Sequence, residues 1–140
     1  LALEAATQGV PRALERGIDL GFEGAAAPAV VRGDAARLRE LLDNLLDNAV
    51  RYSRAGGRVT VRVRSAPAAV EVSDDGPGIP PQERERVFER FHRLLGNAQE
   101  GSGLGLAIAQ EIAHLHGAQI GLRADADGVG NTFSLRFPVA

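Results

Sequence analysis

The chain has 140 residues, 44% of them apolar and 24% charged, as expected of one globular domain with a proper core. A net charge of −2 does not favour a nucleic-acid partner, the absence of cysteine excludes disulfides and thiolate metal sites, and no apolar run is long enough to span a bilayer. All 16 basic residues are arginine, which excludes the P-loop and the eukaryotic-type protein kinases, both of which need a lysine on the nucleotide.

The chain begins at Leu1, shows no signal-peptide pattern and holds no methionine, so it reads as a piece of a longer protein. The first segment, LALEAATQGVPRALERG, is alanine-rich and predicts a helix broken or restarted near Pro11. IDLGFEG alternates like a strand, and VVRG reads as another short one. Asp34 is a natural N-cap for a long helix over DAARLRELLDNLLDNAVRYS. Leu38, Leu41, Leu42, Leu45, Leu46, Ala49 and Val50 form its apolar face. RAGGR is a turn, and RVTVRVR then places Val59, Val61 and Val63 on one face of a half-buried, antiparallel strand. AVEVSD is the next strand, PPQERERVFERFHRL predicts a short helix, and LGNAQEGSG reads as a loop. A helix starts near Leu104 and stops near Gly117. AQIGLRA and NTFSLRF are strands joined by a turn around Asp127 and Gly128. The irregular order predicts an α+β fold: a mixed, largely antiparallel sheet covered on one face by helices.

Three stretches can carry chemistry. At 100° per residue, Arg37, Glu40, Asn44, Asp47, Asn48 and Arg51 share one side of the long helix. Asparagine is a poor residue for a helix interior. A pair at i, i+4 suits a cation site in which the Asn48 oxygen meets Mg²⁺ and Arg51 neutralises phosphate. The plainer reading is a solvated helix face. In VEVSDDGPGI, Asp74 alternates with Val70 and Val72 and points inward, whereas Asp75 faces outward and stays solvated. An inward carboxylate accepts a hydrogen bond from the adenine N6 amino group and meets an acceptor oxygen on guanine, which predicts adenine selectivity. Gly76 and Gly78 let the backbone approach a flat object; the plainer reading is a strand-ending aspartate in a Gly-Pro turn. In GSGLGLAIAQEI, Gly101, Gly103 and Gly105 precede a helix N-terminus, which favours a phosphate cradle, or a loop that needs positive φ. Position 106 is leucine, so the Rossmann spacing is missed.

Phe88 and Phe91 read as core, Arg93 as a candidate phosphate contact, and Tyr52 as a ring able to stack on a base. His92, His114 and His116 show no metal spacing; the last two sit late in a helix, where a cation suits the dipole.

Together these stretches resemble the catalytic, ATP-binding domain of bacterial sensor histidine kinases, within the gyrase, chaperone, histidine kinase and mismatch-repair ATPase superfamily. DNLLDNAVRYS resembles the N box, DDGPGI the first glycine box, FERF the F box, GSGLGLAIAQEI the second glycine box and GVGNTF the third glycine segment. The resemblance runs from about Ile18 to Pro138. It implies a two-layer α/β sandwich of the Bergerat type, with three helices on a mixed sheet. It also implies Mg-ATP as ligand, under a lid from about Leu94 to Ser102. Asn48 then matches the Mg²⁺ ligand and Asn44 its polar partner. Arg51 and Tyr52 match the phosphate-binding residue and the residue beside the base. Asp74 matches the adenine reader, flanked by Gly76, Gly78 and Ile79. Gly101, Ser102, Gly103, Leu104, Gly105 and Leu106 match the hinge and phosphate contacts, Thr132 a contact in the third segment, and Arg93 a γ-phosphate contact.

The resemblance implies a phosphoacceptor histidine on a separate helical dimerisation domain, and none of the three histidines here has that setting. Residues 1–10 then read as a linker remnant in front of a single catalytic domain spanning 1–140. The implied partners are that helical domain and the receiver domain of a response regulator, with the parent in the bacterial inner membrane and this part in the cytoplasm, itself not inserted. Rivals are a superfamily ATPase, a serine kinase and a module that binds nucleotide only to gate contacts.

Overall fold

A computed structural model describes residues 1–53, 56–65, 67–77, 105–124 and 129–138. In chain order the elements are α1 (Ala2–Glu15), β1 (Asp19–Glu23), α2 (Ala35–Tyr52), β2 (Arg58–Ser65), β3 (Ala68–Pro77), α3 (Gly105–Leu115), β4 (Gln119–Ala124) and β5 (Val129–Arg136). The strands form one sheet in the order β1-β2-β3-β5-β4, with β1 and β2 parallel and every other pair antiparallel. The parallel pair is joined through α2, as a parallel connection requires a crossover.

Alternation along the strands sorts the residues into two faces. Val59, Val61, Val70, Val72, Phe133 and Leu135 are buried in the same core as Leu38, Leu41, Leu42, Leu45 and Leu46 of α2 and Ala109, Ile112 and Ala113 of α3. The other face is polar. There the Glu71 side chain, only 7% exposed, lies beneath Arg62, Arg64 and Arg123, with the Arg64 Nη2 nitrogen 3.1 Å away. Arg62 also donates from Nε to Glu23, and this hydrogen bond is the main reason its guanidinium is pushed above its ordinary value.

The helix ends follow from local chemistry. The Asp34 carboxylate accepts from the backbone N–H groups of Ala36 at 3.0 Å and Arg37 at 3.2 Å, so α2 starts where the sequence places its cap. Gly17 (φ 69°) and Gly117 (φ 65°) close α1 and α3 in the left-handed conformation. In each case the next residue's N–H returns to a helix carbonyl, Ile18 to Ala13 at 2.8 Å and Ala118 to Ala113 at 2.9 Å.

Two expectations are corrected. α1 runs unbroken through Pro11. Proline removes a single ladder hydrogen bond, and burial of Ala5, Ala6 and Ala13 holds the helix on both sides of it. VVRG is not a strand: the segment lies outside the five-stranded sheet. Val31 packs on the core while Val30 stays 84% exposed. A strand needs a neighbour for its backbone hydrogen bonds, and this segment has none among the described residues. The expected short helix after Pro80, the loop that follows it and the turn at Asp127–Gly128 lie outside the described residues. Among the described residues, no helix is long and apolar enough to cross a membrane.

Leu41 is fully buried at the centre of the α2 stripe. Leu41→Ala should cost about 2–5 kcal/mol of stability. Urea denaturation should show a lower midpoint with an unchanged slope.

Candidate functional site

Asp74 lies on the core-facing row of β3, one alternation beyond Val72, and is 5% exposed. A carboxylate in that position needs partners. One of its oxygens accepts from the Gly76 N–H at 2.9 Å and from Asn131 Nδ2 at 3.3 Å. Asn131 stands directly opposite on β5 and is 1% exposed. The register between β3 and β5 slips between Asp74 and Pro77. The chain therefore bulges just past the acid, where Gly76 turns its N–H back onto it.

Asp75 corrects the sequence reading. It accepts from Ser53 Oγ at 2.9 Å and from the Arg58 N–H at 2.9 Å, so it ties the end of α2 and the start of β2 to the end of β3. Adjacent carboxylates on opposite pleats thus do different work: Asp75 fastens three elements and Asp74 is held facing inward.

The polar side of α2 divides between two neighbours. Asp47 and Arg51 turn toward α1, where the Asp47 carboxylate lies between Arg12 and Arg51, with Arg51 Nη2 at 3.2 Å. Asn44 turns toward α3 instead. A Cβ built on Gly105, the first residue of α3, would lie 3.8 Å from Asn44 Oδ1, an ordinary contact. The start of α3 therefore lies against Asn44, and glycine is not required there for space. The Asn44 and Asn48 amide nitrogens are buried without a hydrogen-bond partner among the described residues. Two orphaned amides one turn apart are costly, at about 1–3 kcal/mol each, and such groups call for an explanation. An amide rotates to present oxygen in place of nitrogen, so the pair fits a hard cation or a polar ligand at the head of α3. Among the described residues, no three His, Asp or Glu side chains come together to hold a metal by themselves.

The sequence-predicted residues are thus distributed as follows. Asn44 and Gly105 meet between α2 and α3, Asn48 lies one turn further along α2, and Asp74 and Gly76 lie at the end of β3. Arg51 is paired with Asp47, Leu106 packs half-buried against the core, and Tyr52 is the last residue of α2. Thr132 is opposite Ser73, whose hydroxyl lies 2.9 Å from its own, on the sheet face away from Asp74. Its neighbour Asn131 takes the place beside the acid. Sequence reading missed Asn131, because the face of β5 depends on its register with β3. Gly78, Ile79, Arg93, Gly101, Ser102, Gly103 and Leu104 lie outside the described residues.

An apolar cleft of about 460 Å³ opens at the far end of the β2–β3 pair, lined by Phe22, Leu38, Val63, Ala69 and Val70 among others. None of the candidate site residues lines it, and among the described residues no charged side chain lines it to orient a ligand.

Residues 33–140 match the family model described as Histidine kinase-, DNA gyrase B-, and HSP90-like ATPase. The chain belongs to this family. Its sensor histidine kinase character comes from a mycobacterial sensor histidine kinase MprB structure, 35% identical, with a TM-score of 0.82 over 98% of this chain and 97% of that one. A full-length ShkA structure in complex with AMPPNP is 30% identical, with a TM-score of 0.84 over 99% of this chain and 29% of that one. Among curated relatives, the swarming motility regulation sensor protein RssA of Serratia marcescens is 41% identical over 94% of this chain and 28% of its own length. The signal transduction histidine-protein kinase/phosphatase MprB of Mycobacterium leprae is 46% identical over 84% of this chain and 24% of its own length. The chain therefore spans about a quarter of the length of the curated relatives it matches.

In this ATPase domain, the N-box helix meets the first described residue of the second glycine box, Gly105, at Asn44. The first glycine box is anchored by Asn131. Asn131→Ala leaves Asp74 with one donor fewer and should cost about 1–3 kcal/mol. Urea denaturation at neutral pH should show that loss.

Proposed function

We propose that the domain binds Mg-ATP, reads the adenine with Asp74 and presents the γ-phosphate for transfer to a histidine on a separate helical dimerisation domain of the same protein. The observation that carries this reading is the buried Asp74 carboxylate, held on one side by Gly76 and Asn131. An acceptor fixed in that way favours an exocyclic amino group and rejects a carbonyl. The ShkA relative solved with AMPPNP supports ATP as the nucleotide.

Asn48, with Asn44 beside it, would hold Mg²⁺ through an amide oxygen, which fits the orphaned amides on α2. When bound, the ion supplies positive charge across the phosphate oxygens. Arg51 and Arg93 neutralise phosphate charge, with Arg51 leaving Asp47 to do so. Tyr52, Gly76, Gly78 and Ile79 border the base. Residues 101–106 line the phosphates, with glycine backbone and the N-terminal amides of α3 facing them. Thr132 supports the site from the strand behind Asp74. The acceptor imidazole nitrogen bonds to the γ-phosphorus as the bond to the bridging oxygen breaks, and ADP leaves with the electron pair. Positioning and charge neutralisation supply the rate enhancement. The phosphoryl group then passes to an aspartate on the receiver domain of a response regulator. In this reading residues 1–140 are one cytoplasmic catalytic domain, residues 1–10 lead in from the helical domain, and the parent is anchored in the bacterial inner membrane.

One observation disfavours a dedicated ATPase. In gyrase- or chaperone-type enzymes the resemblance places a general-base glutamate four residues before the magnesium asparagine. Here that residue is Asn44, and an amide does not take a proton from water.

Calorimetric titration tests the reading. Mg-ATP should bind and Mg-GTP should bind far more weakly. Asp74→Asn should weaken Mg-ATP by about 10- to 100-fold, the loss of one hydrogen bond to a charged group. Asn48→Ala should abolish the part of the affinity that depends on Mg²⁺. Equal binding of the two purines, or wild-type affinity in Asp74→Asn, would refute the assignment. Addition of a helical histidine domain should yield acid-labile phosphate.

A further inference from the structure

His116 follows α3 and makes two hydrogen bonds. The Asp34 backbone N–H donates to Nε2 at 3.0 Å. Nδ1 lies 2.8 Å from the Ile112 carbonyl, a distance that suits the Nδ1–H tautomer. Gly33 gives a second, independent sign that the contact is built. Its backbone is not left-handed, yet a Cβ there would lie 2.5 Å from His116 Cδ2, 2.7 Å from Nε2 and 2.9 Å from Leu38 Cδ1. Glycine occupies position 33 because the imidazole needs the space.

The contact joins the C-terminal end of α3 to the cap of α2. The other end of the same helix pair is the contact between Gly105 and Asn44. Asp34 and Asn44 are ten residues apart and Gly105 and His116 eleven, which at 1.5 Å per residue is about 15 Å and 16 Å. The two helices therefore run antiparallel over matched spans, with a hydrogen bond from Asp34 to His116 at one end and a close approach of Gly105 to Asn44 at the other. Between these two points α3 buries the small side chains Ala109 and Ala113 together with Ile112. Small residues permit close approach and give little interdigitation to resist sliding.

We propose that His116 is a positioning residue of the nucleotide site. It fixes the axial register of α3 on α2, so that the head of α3 stays beside Asn44. This rests on the Mg-ATP reading for its functional consequence, and on the His116 hydrogen bond and the Gly105–Asn44 approach for its structural one.

The test compares His116→Leu, His116→Gln and Gly33→Ala with the wild type. Glutamine reaches the Nε2 position with an oxygen and restores the acceptor for Asp34; leucine does not. Two quantities are read: amide exchange in nucleotide-free protein at Ala109 to Glu111, and the dissociation constant for Mg-ATP. His116→Leu should speed that exchange and raise the dissociation constant by about fivefold, the scale of one net hydrogen bond. His116→Gln should keep both within about twofold by the same scale, whereas Gly33→Ala should shift both in the direction of leucine. Faster exchange confined to residues 114–117 with unchanged Mg-ATP affinity would overturn the proposal, as would failure of glutamine to restore either quantity. If His116→Leu does not fold, the glutamine and Gly33→Ala arms decide. If the wild type does not bind Mg-ATP, the nucleotide reading falls, and exchange at Ala109 to Glu111 still decides whether His116 sets the register.

Discussion

Helix α2 must satisfy two demands that conflict. Its leucine stripe has to be buried against the sheet, and that burial brings Asn44 under the head of α3 and buries the Asn48 amide one turn further on. Each fully buried leucine contributes about 1.5–3 kcal/mol. The stripe therefore outweighs the cost of two amide nitrogens without partners. The core fixes where the amides stand, and no adjustment of α2 can solvate them without exposing leucine. A site built in this way is rigid because moving it would open the core.

The same logic governs the end of β3. Pleat alternation commits Asp74 to the row of Val70 and Val72, where a carboxylate is expensive, and commits Asp75 to the other side. The cost at Asp74 is offset by Gly76 and Asn131, which share one oxygen. Asp75 secures the surroundings by joining Ser53 and Arg58 to the strand. Neither acid could exchange roles with the other, because a one-residue slip in register would turn every side chain of β3 to the opposite face. On the outer face the arginines of β2 cover Glu71, so a row that reads as merely solvent-facing also holds a buried ion cluster across β2, β3 and β4.

Much of this was legible in the chain. The 3,1,3,1 spacing of the α2 stripe, the Asp34 cap, the Gly117 stop and the valine alternation of β2 are local patterns, and each formed as written. The inward turn of Asp74 follows from counting along one strand. The corrected expectations share a cause. The effect of Pro11 depends on the burial that holds α1 together, and a strand at VVRG would need a neighbouring strand. The role of Asp75 depends on Ser53, and that of His116 on Asp34. Each of those partners is distant in sequence or belongs to another element.

Periodicity, caps and glycine boxes in the sequence alone determined α2, α3 and the described strands of the sheet, the inward carboxylate and the family, because these depend on residues within a few turns of one another. The tertiary structure alone decided that Asn131, rather than Thr132, stands beside Asp74. It also decided that Asp47 holds Arg51, and that His116 at the end of α3 bonds to the cap of α2. The physical reason is that strand register and helix packing are set by the collective burial of the core, so a side chain's partner across an interface is not encoded in its own neighbours.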